Sequence, residues 1–72
     1  MYYVPSGDNF GKNLTRLRKE RGLTRLKLAA LLEIPVTDLI DMEKGIQRKI
    51  PRELVVKICQ ILQTDMETLF RL

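Results

Sequence analysis

The residues of this chain that could do chemistry are mostly cations, and their spacing favours binding of an anion over catalysis. Seven lysines and arginines stand between Lys12 and Lys27, against the single acid Glu20. A second basic run follows, formed by Arg48, Lys49, Arg52 and Lys57. With a net charge of +4, this distribution indicates a polyanionic partner such as a nucleic acid.

Residue types that support catalysis or bind transition metals are scarce. Histidine is absent and Cys59 is the single cysteine, which excludes a nucleophile–histidine pair and a zinc site built from histidine and cysteine. Asp38 and Asp41 are close in sequence, but without further ligands they do not predict acid–base or metal chemistry. We therefore expect no enzyme, no cofactor and no metal. Cys59 stands in an apolar run and is expected to pack in the core.

The chain length limits the remaining possibilities. Seventy-two residues make one small domain, with little room for a pocket that buries a small-molecule substrate. No apolar run approaches the roughly 20 residues that span a bilayer, and the first ten residues do not resemble a secretory signal. A cytoplasmic protein without a membrane partner is expected.

Helix start and stop signals predict five short helices around one core, an all-α fold. Residues 1–7 are expected to form a flexible arm, and residues 8–72 form the domain. Tyr2 and Tyr3 could reach DNA or a partner, but a disordered end or packing over the core is the expectation favoured. The starts are marked by capping residues or by proline, and the stops by glycine. The five starts lie at Asp8 or Asn9, Thr24, Pro35, Pro51 and Asp65, and two stops lie at Gly22 and Gly45.

The second and third helices, about 25–32 and 35–43, are separated by only a tight turn, with the small Ala29 where they cross. This layout is that of a helix-turn-helix, whose second helix enters a DNA major groove. The stretch from Glu33 to Lys44 is acidic, with the four acids Glu33, Asp38, Asp41 and Glu43 against Lys44 alone. Asp41, Asp38 and Glu33 oppose DNA binding because their carboxylates repel phosphates.

From about residue 10 to residue 70, the chain resembles the phage-repressor/Cro-type helix-turn-helix family, also called the xenobiotic-response-element family. The resemblance rests on the segment RKERGLT, Leu28-Ala29, Ile34, Leu39, Met42-Glu43-Lys44-Gly45, Pro51 and the leucine-rich end. It implies a lambda-repressor-like fold and a sequence-specific DNA-binding transcriptional regulator, repressor-like in action. A homodimer on a two-fold DNA site is expected, because one short helix reads too few base pairs for specificity.

The resemblance also implies which residues contact DNA. Phosphate contacts are expected from the start of the second helix, the loop after the third and the start of the fourth, namely Thr24, Arg25, Lys44, Gln47, Arg48, Lys49 and Arg52. Base contacts are expected from Pro35, Val36, Thr37, Ile40 and Asp41. Val36 offers only contact with a thymine methyl, whereas Asp41 can accept from a cytosine amine. Glu33 replaces the glycine that the family prefers in the turn, which predicts a mildly strained left-handed residue.

An alternative function stays open on the same fold. Leu26, Ala30 and Leu31 stand where the family has polar residues on the outside of the second helix. With Val36 and Ile40, Leu26 and Ala30 are expected to form an exposed apolar strip, which is typical of a protein contact. The chain would then be a protein-interaction module, such as an anti-repressor or an accessory regulator.

Overall fold

The computed structural model describes residues 2–4 and 9–71. These residues form five helices and one two-stranded antiparallel sheet, so the predicted five-helix all-α fold is confirmed. The helices are α1 (Asn9–Glu20), α2 (Arg25–Leu32), α3 (Val36–Glu43), α4 (Arg52–Leu62) and α5 (Met66–Leu69), and the strands are β1 (Tyr2–Tyr3) and β2 (Ile50–Pro51). None of the helices in the described ranges has the length and apolar character that crossing a bilayer requires.

Side-chain caps fix the starts of two helices where the sequence predicts them. The Oγ1 atom of Thr24 accepts from the backbone N–H of Lys27 at 3.1 Å and caps α2. At α5, Asp65 accepts from the N–H of Thr68 at 2.7 Å, and this hydrogen bond lowers the pKa of the Asp65 carboxyl. Such caps satisfy N–H groups that have no partner inside the helix. Asp8, the alternative cap of α1, lies outside the described residues.

The turn between α2 and α3 depends on Glu33. Its backbone is left-handed, with φ 59° and ψ 41°, as the sequence predicts. Its N–H donates to the carbonyl of Ala30 at 3.1 Å, and the N–H of Ile34 donates to Ala29 at 3.0 Å. These hydrogen bonds satisfy carbonyl groups at the end of α2. They offset the free energy of roughly 1 kcal/mol that a left-handed backbone costs a residue other than glycine.

One apolar cluster joins all five helices. Ala29 is buried beneath the turn, and the deepest side chains include Leu14, Leu28, Leu39, Ile58 and Leu62. Cys59 is buried with them as predicted. Burial, and to a smaller extent the negative charge of Asp65, raise the pKa of its thiol.

Gly11 allows α1 to pack directly on the end of α3. A Cβ atom at this position would lie 2.8 Å from the carbonyl oxygen of Met42 and would also clash with the carbonyl of Glu43. Atoms at such distances repel strongly. The close contact therefore depends on the missing side chain, and it places the end of the third helix against the first.

Tyr2 and Tyr3, which the sequence assigns to an N-terminal arm, lie in a strand in the structure. These residues form β1, in which Tyr2 pairs with Pro51 and Tyr3 with Ile50. The centre of the Tyr3 ring lies 5.7 Å from the centre of the Phe70 ring, and Tyr3 packs on the core, which is one of the alternatives that the sequence left open. Strand pairing and aromatic packing together supply the contacts that order this end. Residues 5–7 lie outside the described residues.

Candidate nucleic-acid interface

The third helix has one buried side and one solvent-facing side. Leu39 and Met42 are buried against α1 and α2. Thr37 is exposed and Asp41 is half-buried, and because they are four residues apart they share a face of the helix. Lys44, the exposed C-cap residue of α3, continues this face. The exposed face of α3 therefore carries a hydroxyl, a carboxylate and an ammonium group in a row.

The five predicted base-contacting residues differ in exposure. Pro35 and Thr37 are exposed, whereas Val36, Ile40 and Asp41 are half-buried. Val36 packs partly against the core. The predicted apolar strip is thus exposed on α2, at Leu26 and Ala30, whereas its α3 members Val36 and Ile40 are half-buried.

Glu43, one of the four acids between Glu33 and Lys44, does not present its charge to a partner. Its side chain is only 1% exposed and lies between two arginines. Arg18 donates from Nε to Oε2 at 2.8 Å, and Arg25 donates from Nε to Oε1 at 2.9 Å. Burial raises the pKa of the Glu43 carboxyl, but hydrogen bonds from both arginines and the charge of Arg18 outweigh it, so the net pKa is lowered. Glu43 is an internal, ionised anchor.

A second acid of the segment is also paired. Lys57 Nζ lies 3.4 Å from a carboxylate oxygen of Glu33, although the Glu33 side chain is 82% exposed. A pair so exposed contributes little free energy, but it balances the charge locally. Asp38 and Asp41 remain as the carboxylates of α3 that face outward. The negative charge around this helix is therefore smaller than the sequence suggests.

The basic block of α1 is likewise partly structural. Arg18 is buried, and besides Glu43 it donates from Nη1 to the carbonyl of Leu23 at 2.8 Å. Arg21 donates from Nε to the carbonyl of Leu62 at 3.0 Å and so binds the end of α4. The cations left on the outer face of α1 line a shallow groove of about 600 Å³, bordered by Lys12, Thr15, Arg16, Lys19, Glu20 and Glu43. Only part of the predicted electrostatic footprint is thus available to a partner.

The start of α2 presents two of the predicted phosphate ligands. Thr24 is exposed beside the N-terminus of the helix, where backbone amides and the helix dipole favour an anion. The next side chain, Arg25, is 45% exposed even though its Nε bonds Glu43. The N-terminal end of α2 and the guanidinium group of Arg25 therefore lie side by side.

The loop after α3 (residues 44–49) presents the other predicted phosphate ligands. Lys44, Gln47, Arg48 and Lys49 are all exposed, as is Arg52 in the first turn of α4. The amides of Ile46 and Gln47 both donate to the carbonyl of Asp41, at 2.8 and 3.1 Å, which fixes the loop on the end of α3. The Nζ atom of Lys49 lies 4.9 Å from the centre of the Tyr2 ring, a cation–π contact. This contact could not be predicted from the sequence, because it depends on the pairing of β1 with β2.

Two closely packed helices joined by a tight turn, with the outer face of the second bordered by cations, define a helix-turn-helix DNA-binding domain. The sequence matches the helix-turn-helix family over residues 14–69, and the chain belongs to this family, in its Cro/C1-type form. Comparison with curated protein sequences gave no match.

Solved structures of regulators share the fold. The restriction-modification controller protein C.AhdI from Aeromonas hydrophila is 26% identical, with a TM-score of 0.78 over 86% of this chain and 92% of its own. The clp gene regulator ClgR from C. glutamicum is 22% identical, with a TM-score of 0.80 over 93% of this chain and 86% of its own. A mutant of the restriction-modification controller protein C.Esp1396I is 17% identical, with a TM-score of 0.74 over 93% of this chain and 86% of its own.

Proposed function

We propose that this chain is a sequence-specific transcriptional regulator that inserts α3 into the DNA major groove as a homodimer. Membership of the family makes it a DNA-binding transcriptional regulator. The observation that carries the proposal is the exposed face of α3, because the start of α2 is held on its last residue and the cationic loop follows it directly. The function is one of binding, without catalysis or a cofactor, and it is exerted in the cytoplasm.

Affinity comes mainly from phosphate contacts around α3. Thr24 and Arg25 hold one phosphate at the N-terminus of α2. The second set lies in the loop after α3 and at the start of α4, and consists of Lys44, Gln47, Arg48, Lys49 and Arg52. Contacts of this kind fix the orientation of a domain on the duplex without reading its sequence.

Specificity comes from α3. Thr37 is exposed and donates to or accepts from base edges, and Asp41 accepts from the amine of cytosine. Pro35, Val36 and Ile40 add apolar contacts, for which the thymine methyl is the natural partner. An eight-residue helix reaches only a few base pairs, so two copies on a two-fold site supply the required discrimination.

Selection of bound duplexes from a random pool tests this proposal. We expect the recovered sequences to contain two half-sites related by two-fold symmetry and spaced by about one helical turn, 10–10.5 base pairs. Thr37→Ala should change the preferred base at one position in each half-site, whereas Thr64→Ala, a matched substitution outside the helix-turn-helix, should leave the motif unchanged. Recovery of unrelated sequences would refute specific recognition.

A second candidate function is a protein-interaction module, and the exposure of Leu26 favours it. This side chain is 71% exposed on α2, beside the exposed Ala30. Leu26→Glu adds a charge to this apolar surface without disturbing the core. If a protein partner binds here, Leu26→Glu should abolish its binding while unfolding in urea stays the same. Unaltered binding would exclude this surface as the contact.

A further inference from the structure

We propose that Glu43 is a positioning residue of the DNA site, which holds the guanidinium of Arg25 at the start of α2 in the orientation that receives a backbone phosphate. This inference rests on the proposed DNA-binding function. It concerns a residue that the sequence groups with the acids opposing DNA and that makes no contact with DNA itself.

The first argument is the geometry of Arg25. Its Nε donates to the Oε1 atom of Glu43 at 2.9 Å, while the side chain as a whole remains 45% exposed. A guanidinium has five N–H donors, and the four on its Nη atoms form the end opposite the aliphatic stem. Among the described residues, the hydrogen bonds of Arg25 use only Nε. The Nη donors are therefore available for an incoming anion.

The second argument is the rigidity of the anchor. The Glu43 carboxylate is 1% exposed and is held from the other side by Arg18, through Nε to Oε2 at 2.8 Å and Nη2 to Oε1 at 3.5 Å. Arg18 is itself buried and bonded to the carbonyl of Leu23. A fixed carboxylate restricts the rotamers of Arg25 before DNA arrives. The conformational entropy that a free arginine loses on binding is thus already lost.

The third argument is charge. Two guanidinium groups share one carboxylate, so this cluster keeps one net positive charge, and Arg25 is its exposed member. Thr24 caps α2 next to it, which places the positive end of the helix dipole beside the guanidinium. A phosphate oxygen matches this combination, because arginine donates two parallel hydrogen bonds to such groups.

Glu43→Gln tests the proposal, because positioning and simple electrostatics predict opposite results. Removal of a carboxylate raises the net charge, so long-range attraction alone predicts tighter binding to a short duplex of random sequence. If Glu43 positions Arg25, the affinity should instead fall by about fivefold or more. Glu67→Gln, at an exposed residue of α5, makes the same charge change outside the helix-turn-helix and should bind as tightly as the unaltered chain or tighter. Glu43→Gln binding as tightly as Glu67→Gln would overturn the proposal.

Arg25→Lys is the second variant, because Glu43→Gln also removes the partner of the buried Arg18 and can reduce folding. Lysine keeps the charge but cannot bond the carboxylate and a phosphate through one planar group. We expect the same loss of affinity of about fivefold or more, at unchanged stability in urea. In the Arg25→Lys background, Glu43→Gln should weaken binding little further, since the two residues act as a unit. Full affinity of Arg25→Lys, or additive losses in the double variant, would contradict the proposal.

Failure of this inference can be told apart from failure of the proposed function. If the unaltered chain does not bind duplex DNA at low salt, the proposed function is wrong. If it binds and both variants bind equally well, DNA binding stands and Glu43 has only a structural role.

Discussion

Arg18 and Glu43 form an ion pair of 2.8 Å that is almost entirely buried, with side chains 8% and 1% exposed. It joins α1 to the last residue of α3, and therefore fixes the end of the helix that we propose enters the major groove. Loss of one partner of such a pair leaves a buried charge, which typically costs 3–5 kcal/mol, whereas the intact pair adds little net free energy. The pair therefore acts mainly by fixing one arrangement of α1 and α3.

The free energy of unfolding should depend on pH through Glu43. The pKa of this carboxyl is lowered in the folded state from its ordinary value of 4.5. The stabilisation that ionised Glu43 adds to the free energy of unfolding is therefore complete above about pH 4.5, and it is lost as the pH falls through the lower folded-state pKa. Urea unfolding between pH 7 and pH 3 should show a steeper decline for the unaltered chain than for Glu43→Gln. Glu67→Gln serves as the control, and parallel curves for the unaltered chain and Glu43→Gln would exclude this role.

Gly11→Ala should destabilise the protein, although alanine normally stabilises the middle of a helix by about 1 kcal/mol. The new Cβ would lie 2.8 Å from the carbonyl oxygen of Met42, and overpacking of this kind costs about 1–3 kcal/mol. Chemical denaturation measures the difference, with Lys12→Ala at the exposed neighbouring position as the control. A gain in stability from Gly11→Ala would show that α1 and α3 are not packed this closely.

The starts and stops of the helices could be predicted because each depends on local chemistry. Thr24, Pro51 and Asp65 begin helices, and Gly22 and Gly45 take the positive φ values that end them, 68° and 79°. These residues act within one turn of their own position, so the sequence alone determines their effect.

The pairing of Glu43 could not be predicted from local pattern, because its partners are 25 and 18 residues away. A signal was nevertheless present. Arg18 follows Leu14 and Leu17 on the buried side of α1, and Glu43 follows Leu39 and Met42 on the buried side of α3. Opposite charges on two apolar faces indicate a buried ion pair. The strand formed by Tyr2 and Tyr3 could not be predicted from the sequence, because a strand of two residues depends on its pairing with a distant partner strand.

Asp41→Asn should raise the affinity for duplex DNA of random sequence and change the sequence preference. Asp41 is one of the two acids of α3 that face outward, together with Asp38, and a carboxylate near phosphates opposes binding. Asparagine removes the charge and favours adenine, to which it bonds through two positions. Titration against random and selected duplexes measures both effects. No change in either would place Asp41 outside the interface.

Tyr2→Leu should weaken DNA binding slightly through Lys49. The Lys49 ammonium lies 4.9 Å from the centre of the Tyr2 ring, and an exposed cation–π contact contributes about 0.5–1 kcal/mol. Because the ring holds the Lys49 ammonium in place before DNA binds, its removal should lower the affinity by at most about fivefold. Tyr2→Phe keeps the aromatic face and should bind like the unaltered chain. Equal losses in both variants would exclude the ring contact as the cause.

The salt dependence of duplex binding tests the central claim most directly, namely that cations around α3 bind the DNA backbone. We predict that the logarithm of the binding constant falls linearly with the logarithm of the salt concentration, and that Lys44→Ala reduces the slope by about 0.9. Arg71→Ala, which removes an exposed cation outside the helix-turn-helix, should leave the slope unchanged. Absence of binding in dilute buffer, or a slope that Lys44→Ala and Arg71→Ala affect equally, would contradict this account.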